Sequence, residues 1–197
     1  DIYTFHTDQH HYREVLDLVL KQQPDADISL KTAALFHDLE RYIPLFKCPY
    51  LPNPSLDKTI RKKAAHPLNS ARIAEFFLSG FPLTAEQHEK INFLIQHHDA
   101  GISAVTLSNK TILTGVSPDH PWYQDLLVLS EADAAAFFKT TIKFFIEEKD
   151  SIKPPKHQQL LERISLLYER IQTREGRQTI DYIMDTYWAV ADPNVFL

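Results

Sequence analysis

Glycine and cysteine are scarce in this sequence, and each shortage excludes a class of site. Four glycines among 197 residues form neither a GxxxxGK nor a GxGxxG pattern, so a phosphate-binding loop and a dinucleotide-binding turn are not predicted. Cys48 is the single cysteine, which excludes an internal disulfide and a thiolate zinc site. A lone cysteine suits a reducing compartment, and we therefore expect a cytoplasmic protein.

Long apolar runs and a strong net charge are also missing. No stretch approaches the roughly 18 consecutive apolar residues that a membrane-spanning helix requires. The net charge is −5, so the chain has no general attraction for nucleic acid polymers or anionic membranes. Any binding of phosphate must therefore depend on a local cluster of side chains or on a metal ion. We expect a small phosphorylated molecule as partner, and neither a nucleic acid nor a membrane.

Helical periodicity is present along most of the chain, and few stretches alternate as a strand does. The pattern predicts an all-α helical bundle in a single domain over 1–197, with a metal-site core over about 8–138 and accessory helices over about 155–190. Helices are predicted at about 10–22, 28–40, 56–79, 85–97, 121–148, 158–173 and 176–190. The apolar stripe of "FFKTTIKFFIEE" indicates either core packing or contact with a second copy, so a homodimer is a further expectation.

Local signals support two of the helix starts. Asp27 follows the turn "QQPDA" and is the residue type that most often caps a helix N-terminus. Thr84 followed by Gln87 matches a capping box, in which two side chains bond reciprocally to two backbone N–H groups. Both signals depend only on residues close together in sequence.

Ten histidines are many for this length, and several lie on successive predicted helices. The residues concerned are His11, His37, Asp38, His66, His97, His98 and Asp133. Groups that lie near the apolar stripes of neighbouring helices can converge in the core of an antiparallel bundle. Burying so many ionisable groups costs free energy unless they are paired or bind a metal ion. The pattern therefore predicts a metal site inside the bundle.

This ordered set resembles the HD superfamily of metal-dependent phosphohydrolases. The resemblance is carried by "HYREVLDL", "AALFHDLER", "HPLNSARIAEFFL", "FLIQHHDAG" and "EADAAAFF", and it spans roughly residues 8 to 138. It implies an all-helical HD fold with two metal ions. The implied ligands of the first ion are His11, His37, Asp38 and Asp133, and those of the second are His66 and His97, with Asp38 bridging both ions.

Two ligand positions have a neighbouring alternative. His10 competes with His11, although Val15, four residues after His11, better matches the first-helix pattern of the family. His98 competes with His97, and adjacent residues on a helix point about 100° apart, so only one of the two is expected to be a ligand.

The donor types limit the metal, and a few basic residues are candidates for binding phosphate. Imidazole and carboxylate ligands without thiolate favour Fe, Mn, Co or Mg, in one or two divalent ions, with Zn and Ni as further alternatives. Two such ions activate a water molecule and polarise a phosphate ester, which makes Asp38 a catalytic residue as the bridging ligand. Arg41, one turn after His37, is a second candidate catalytic residue and a candidate clamp for a phosphate oxygen. Lys62 and Arg72 are further substrate-binding candidates.

The resemblance implies a hydrolase that cleaves a phosphate ester or anhydride, in a nucleotide or a related small metabolite. Glu40 and Arg41 follow the His-Asp pair, and "DAGISAV" follows His98, whereas the cyclic-dinucleotide branch has Gly and Lys at the former and Gly-Tyr-Pro at the latter. Cyclic di-GMP is therefore not the expected substrate. Two alternatives stay open, namely a mixed-valence di-iron oxygenase with the same ligands and a non-catalytic nucleotide-sensing module. Glu131 is interpreted as either a partner of the metal site or an exposed residue.

Overall fold

Helices make up the regular structure in the computed structural model, which describes residues 10–42, 66–99, 116–148 and 154–188. The helices are α1 His11–Gln22, α2 Ile28–Phe36, α3 Leu39–Tyr42, α4 His66–Leu78, α5 Ala85–His97, α6 Tyr123–Glu148, α7 Pro154–Arg170 and α8 Arg174–Trp188. These ranges contain no strand, so the all-α prediction is confirmed for the described residues. Within the same ranges, no helix combines the length and apolarity that crossing a membrane requires.

The chain divides into two compact units, Asp1–Ser130 and Glu131–Leu197. The boundary lies inside α6, so the residues of this helix up to Ser130 belong to the first unit and those from Glu131 onwards to the second. The expectation of a single domain with accessory helices stays a prediction.

Both predicted helix caps in the first unit are confirmed. The Asp27 carboxylate accepts a hydrogen bond from the backbone N–H of Leu30 at 2.9 Å, at the start of α2. The Thr84 hydroxyl accepts from the backbone N–H of Gln87 at 3.2 Å, and the Gln87 side chain accepts from the backbone N–H of Thr84 at 2.8 Å. This reciprocal pair is the predicted capping box at the start of α5.

Helix α2 ends earlier than predicted, at Phe36 instead of residue 40. His37 and Asp38 form a turn, after which α3 begins. The His37 ring provides the physical reason, because its Nδ1 donates a hydrogen bond to the carbonyl of Ala34 at 2.8 Å. In a continuing helix, that carbonyl would accept from the backbone N–H of Asp38. The histidine side chain therefore takes over the bond that would have extended the helix.

Three helices of the first unit pack around α2. Helix α2 contacts α1, α4 and α5, while α4 also contacts α3 and α5. The core consists of small and branched apolar side chains, among them Val15, Val19, Leu30, Ala33, Ala34, Ala74, Ile91, Leu94 and Ile95. The alanines allow the helices to approach closely, which brings the ends of neighbouring helices together.

The second unit contains the remainder of α6 with α7 and α8. Helix α7 begins at Pro154, four residues before the predicted start, and proline is tolerated in a first helical turn because no intrahelical partner awaits its missing N–H. The guanidinium of Arg163 on α7 lies 5.7 Å from the ring centre of Phe137 on α6. That of Arg177 on α8 lies 4.1 Å from the ring centre of Tyr168 on α7. Stacked cations of this kind connect the three helices beside a buried apolar core.

Candidate metal centre

Histidines at the ends of four helices of the first unit make up the candidate site. His11 is the first residue of α1 and His66 is the first residue of α4, whereas His37 directly follows α2 and His98 directly follows α5. All four are buried, as is Asp38. Since α2 packs against the other three helices, the starts of α1 and α4 meet the ends of α2 and α5 at one end of the unit.

The carboxylate of Asp38 lies at the centre of these four imidazoles. Its Oδ2 is 3.9 Å from Nε2 of His11 and 3.9 Å from Nε2 of His37. Its Oδ1 is 3.3 Å from Nε2 of His66 and 3.7 Å from Nε2 of His98. The rings are also near one another, with centres 4.9 Å apart for His37 and His98. Each carboxylate oxygen thus faces its own pair of imidazole nitrogens.

Hydrogen bonds to the backbone determine the tautomer of two of these rings. Nδ1 of His37 bonds to the carbonyl of Ala34 at 2.8 Å, and Nδ1 of His98 bonds to the carbonyl of Ile95 at 2.7 Å. A carbonyl oxygen only accepts, so Nδ1 is protonated in both rings. In the neutral ring the lone pair is then on Nε2, the nitrogen that faces Asp38. This is the tautomer in which an imidazole binds a metal through Nε2.

This arrangement suits a cation. A lone pair on an imidazole nitrogen and a carboxylate oxygen repel each other at close range, and a shared positive charge turns that repulsion into attraction. One ligand atom each from His37, Asp38 and His98 lies within 4.8 Å of the other two, which is compact enough for a single ion. The buried cluster of His11, His37, Asp38, His66 and His98, called the Asp38 cluster below, can therefore hold metal.

The paired histidines of α5 are separated by the fold. His98 lies in the Asp38 cluster, whereas His97 is only half-buried and its ring centre lies 4.7 Å from that of Phe93. Burial and the charge of the nearby His120 lower the pKa of His97 below its ordinary value. His98, and not the His97 that the sequence analysis preferred, therefore lies next to Asp38.

The fold also separates His10 from His11, the other pair of alternative ligands. His11 lies next to Asp38, while His10 precedes α1 and is exposed. Asp133 is a different case because it belongs to the second unit. It is buried there, with its Oδ2 4.0 Å from Nη1 of Arg170. The assignment of Asp133 as a ligand of the first ion stays a prediction.

The candidate phosphate-binding residues are located only in part. The backbone of Arg41 lies in α3, but its side chain and the whole of Lys62 lie outside the described residues. Arg72 lies on α4, six residues after His66, with an exposed side chain. The role of all three in substrate binding stays a prediction.

Two polar contacts tie the turn that carries Asp38 to the helix that begins with His66. The backbone N–H of Glu40 donates to the hydroxyl of Ser70 at 3.1 Å, and the Asn69 amide donates to the Glu40 carboxylate at 3.1 Å. Glu40 follows the His-Asp pair at a position where the cyclic-dinucleotide branch has glycine. In this protein, Glu40 connects α3 to α4 through these two hydrogen bonds.

Asp99 and Ser130 were not anticipated from the sequence. Oδ2 of Asp99 lies 3.8 Å from Nδ1 of His66, and the hydroxyl of Ser130 donates to the carbonyl of His98 at 2.8 Å. For Asp99 a signal was present, because "HHDAG" contains a second His-Asp pair at a helix end. Ser130 carries no comparable signal in the sequence.

Comparisons with protein-family models, with curated proteins and with solved structures gave no significant match. The likeness to the HD superfamily therefore depends on the identity of the ligand-type residues and on their arrangement. What the fold and the site define is a helical protein with a buried imidazole and carboxylate cluster able to hold metal.

Proposed function

We propose that this protein is a metal-dependent phosphohydrolase of the HD type that cleaves a phosphate ester or anhydride in a nucleotide or a related small metabolite. The observation that carries the proposal is the grouping of four imidazole Nε2 atoms within 3.9 Å of the Asp38 carboxylate in a buried site. The resemblance of the residue order to the HD superfamily supports the same conclusion.

The division of the imidazoles between the two oxygens of Asp38 supports two ions. A carboxylate can bridge two metal ions with one oxygen on each. His11 and His37 face Oδ2, and His66 and His98 face Oδ1. We propose that the first pair would hold one ion and the second pair the other, with Asp38 as the ligand that both ions would share.

The donor set narrows the choice of metal and the chemistry. Four imidazoles favour Fe, Mn or Co over Mg, which prefers oxygen ligands. A divalent metal in this site would lower the pKa of a bound water molecule and would place a positive charge near a phosphoryl oxygen. The protein holds His37 and His98 in the tautomer that offers Nε2, and burial keeps bulk water away from the reacting groups.

Metal analysis followed by an activity panel tests the proposal. We expect the protein purified without chelators to carry Fe, Mn or Co, and the protein loaded with that metal to release phosphate from a member of a panel of phosphate esters and anhydrides. Asp38→Ala is expected to lose both metal and activity, because it removes the shared ligand. Asp17→Ala, at an exposed position on α1, is the matched control. Full metal content and turnover in Asp38→Ala would end the proposal.

Single histidine variants test the two-ion assignment. His98→Gln and His66→Gln are expected to lose one of two bound ions, and His11→Gln to lose the other. His97→Gln provides a stringent control, because it changes the neighbouring histidine outside the Asp38 cluster and should leave the stoichiometry unchanged. Equal loss of metal in His97→Gln and His98→Gln would contradict the assignment.

A second candidate activity is favoured by the imidazole-rich donor set, because such ligands suit iron. In that case the protein is a mixed-valence di-iron oxygenase that uses dioxygen to oxidise a C–H bond. An EPR signal from the half-oxidised iron pair, with oxygen consumption and no phosphate release, would establish this activity over hydrolysis.

Tight nucleotide binding without turnover under added Mn, Fe, Co or Mg would instead support a sensing module.

A further inference from the structure

The pair His98-Asp99 repeats the arrangement of His37-Asp38. Each histidine directly follows a helix, and both have backbone angles of φ −57° and ψ −34°. Each ring donates from Nδ1 to the carbonyl three residues earlier. Asp99 thus holds the same position after α5 that Asp38 holds after α2.

His66 lies between these two aspartates. Its Nε2 is 3.3 Å from Oδ1 of Asp38, and its Nδ1 is 3.8 Å from Oδ2 of Asp99. The side chains are largely buried, with 10 % of His66 and 12 % of Asp99 exposed. The two nitrogens of one ring therefore face two different carboxylates from opposite sides.

The group that faces Nδ1 differs between His66 and the other two histidines. His37 and His98 bond through Nδ1 to a carbonyl of the helix that precedes them. His66 is the first described residue of α4, and its Nδ1 faces the carboxylate of Asp99 at 3.8 Å. An acceptor near Nδ1 keeps the proton on that nitrogen and leaves the Nε2 lone pair available to a metal. Asp99 provides a negatively charged acceptor at this place.

We propose that Asp99 is a positioning residue that holds His66 in the Nδ1–H tautomer and directs its Nε2 toward the metal site at Asp38. The effect of Asp99 on metal binding depends on the proposed function. Its effect on the tautomer of His66 does not. The 3.8 Å separation exceeds a hydrogen bond, so the attraction is that of a carboxylate for an N–H dipole. Because Asp99 faces the far nitrogen of the ring, it acts through His66 and is not itself a ligand.

NMR of the imidazole nitrogens in the metal-free protein tests the tautomer directly. At about pH 8, where an ordinary histidine is neutral, wild-type His66 is expected to be protonated at Nδ1. Asp99→Ala should move the proton of His66 toward Nε2, whereas His37 and His98 should be unaffected because carbonyls determine their tautomers. An Nε2–H tautomer of His66 in the wild-type protein would overturn the proposal without any variant.

Titration with Co²⁺ provides the second readout. Asp99→Ala is expected to bind Co²⁺ about 10- to 100-fold more weakly at unchanged stoichiometry, as found when a carboxylate behind a ligating histidine is removed. Asp99→Asn should recover part of the affinity, because the dipole of its amide oxygen still attracts the Nδ1–H although the charge is lost. Asp119→Ala, at an exposed position, is the matched control.

The outcomes separate the two proposals. Unchanged affinity in Asp99→Ala, or the loss of a whole ion, would overturn the positioning role while leaving metal binding intact. A wild-type protein that takes up no metal would overturn the proposed function, and the tautomer of His66 would still decide the role of Asp99.

Discussion

Asp38 in the first unit and Glu131 in the second are both buried carboxylates, with 2 % and 1 % of the residue exposed, and their surroundings differ. Asp38 is surrounded by the imidazoles of four histidines from four helix ends. Oε1 of Glu131 accepts hydrogen bonds from the backbone N–H groups of Gln172 at 2.7 Å and Thr173 at 2.8 Å, and its Oε2 accepts from the Thr173 hydroxyl.

The difference separates a carboxylate held by the backbone from one surrounded by side chains that could hold a metal ion. Backbone N–H groups at a helix start are present in every folded copy of the chain, so they stabilise Glu131 and the start of α8 together. Thr173 extends this network by accepting from the backbone N–H of Gly176 at 3.0 Å. The imidazoles around Asp38 are side chains of a type that can bind a metal ion together with a carboxylate. Glu131 was expected to be either a partner of the metal site or exposed. The second interpretation is wrong, because Glu131 is buried, and the first stays a prediction.

The largest expected effect separates the two carboxylates by metal affinity. Asp38→Asn is predicted to weaken Co²⁺ binding by at least about 1000-fold, more than the loss typical of residues behind the ligands, because it removes the shared ligand. Glu131→Gln should leave the affinity within about 2-fold, since backbone donors and not ligands surround it. Calorimetric titration of both variants measures this, and equal losses would break the comparison.

The free energy of unfolding should respond in the opposite order, with Glu131 more important than Asp38. Glu131→Ala is predicted to lower the free energy of unfolding by about 3 kcal/mol, because two backbone N–H groups and a hydroxyl lose a charged acceptor in a buried place. Urea denaturation measures the loss, with Glu169→Ala, at an exposed position on α7, as control. A loss below about 1 kcal/mol would show that water replaces the carboxylate.

Gly176 provides a further test of the structural role of Glu131, because the two residues are in close contact. A Cβ at position 176 would overlap the Glu131 carboxylate and lie 2.7 Å from Cγ2 of Ile171. Gly176→Ala is therefore predicted to cost about 2 kcal/mol. Gly80→Ala is the matched control, since a Cβ there has no neighbour within 4 Å. In the double variant with Glu131→Ala, the loss of unfolding free energy should be smaller than the sum of the losses in the two single variants. Strict additivity would contradict the proposed overlap.

The smallest expected effect concerns Lys90. It lies between the carboxylates of Asp27 and Asp125, which are structural carboxylates of the first unit. Its Nζ lies 2.7 Å from Oδ2 of Asp27 and 2.5 Å from Oδ2 of Asp125. Burial alone would lower the pKa of Lys90, but the bonds to Asp125 and Asp27 raise it above its ordinary 10.5. Burial alone would raise the pKa of Asp27, but the bonds from Lys90 and from the Leu30 N–H lower it below 3.8.

Lys90→Met is predicted to cost about 1 kcal/mol at neutral pH. The contribution of Asp27 is present above pH 3.8 and is lost as pH falls through its lowered folded pKa. The contribution of Lys90 is present below pH 10.5 and is lost as pH rises through its raised folded pKa. The stability difference between wild type and variant should thus be constant from about pH 5 to 9 and shrink outside that window. Urea midpoints across pH measure it, and a difference that varies through neutral pH would contradict this account.

Sequence reasoning succeeded where a signal is local. The cap at Asp27 and the capping box of Thr84 and Gln87 depend on residues within one helical turn, and both form. It failed at the end of α2, where the helix stops at Phe36 because a side chain competes for a backbone carbonyl. Periodicity continues through such a position, so it does not indicate the break.

Most residues of the candidate site were visible as residue types. His11, His37, Asp38 and His66 were named from their order along predicted helices, and they meet in the first unit. Asp99 was missed even though its motif repeats that of Asp38. Its significance depends on the proximity of His66, which is far away in the sequence.

The amino-acid sequence by itself determined the helical class, the capped helix starts and the supply of imidazoles and carboxylates at helix ends, because each depends on neighbours within a turn or two. Only the tertiary structure decided that His98 and not His97 faces Asp38, that Asp99 lies behind His66, and that Glu131 caps α8. The rotation of a helix about its axis, and the partner that a buried carboxylate meets, depend on how distant segments pack, and no local pattern records that packing.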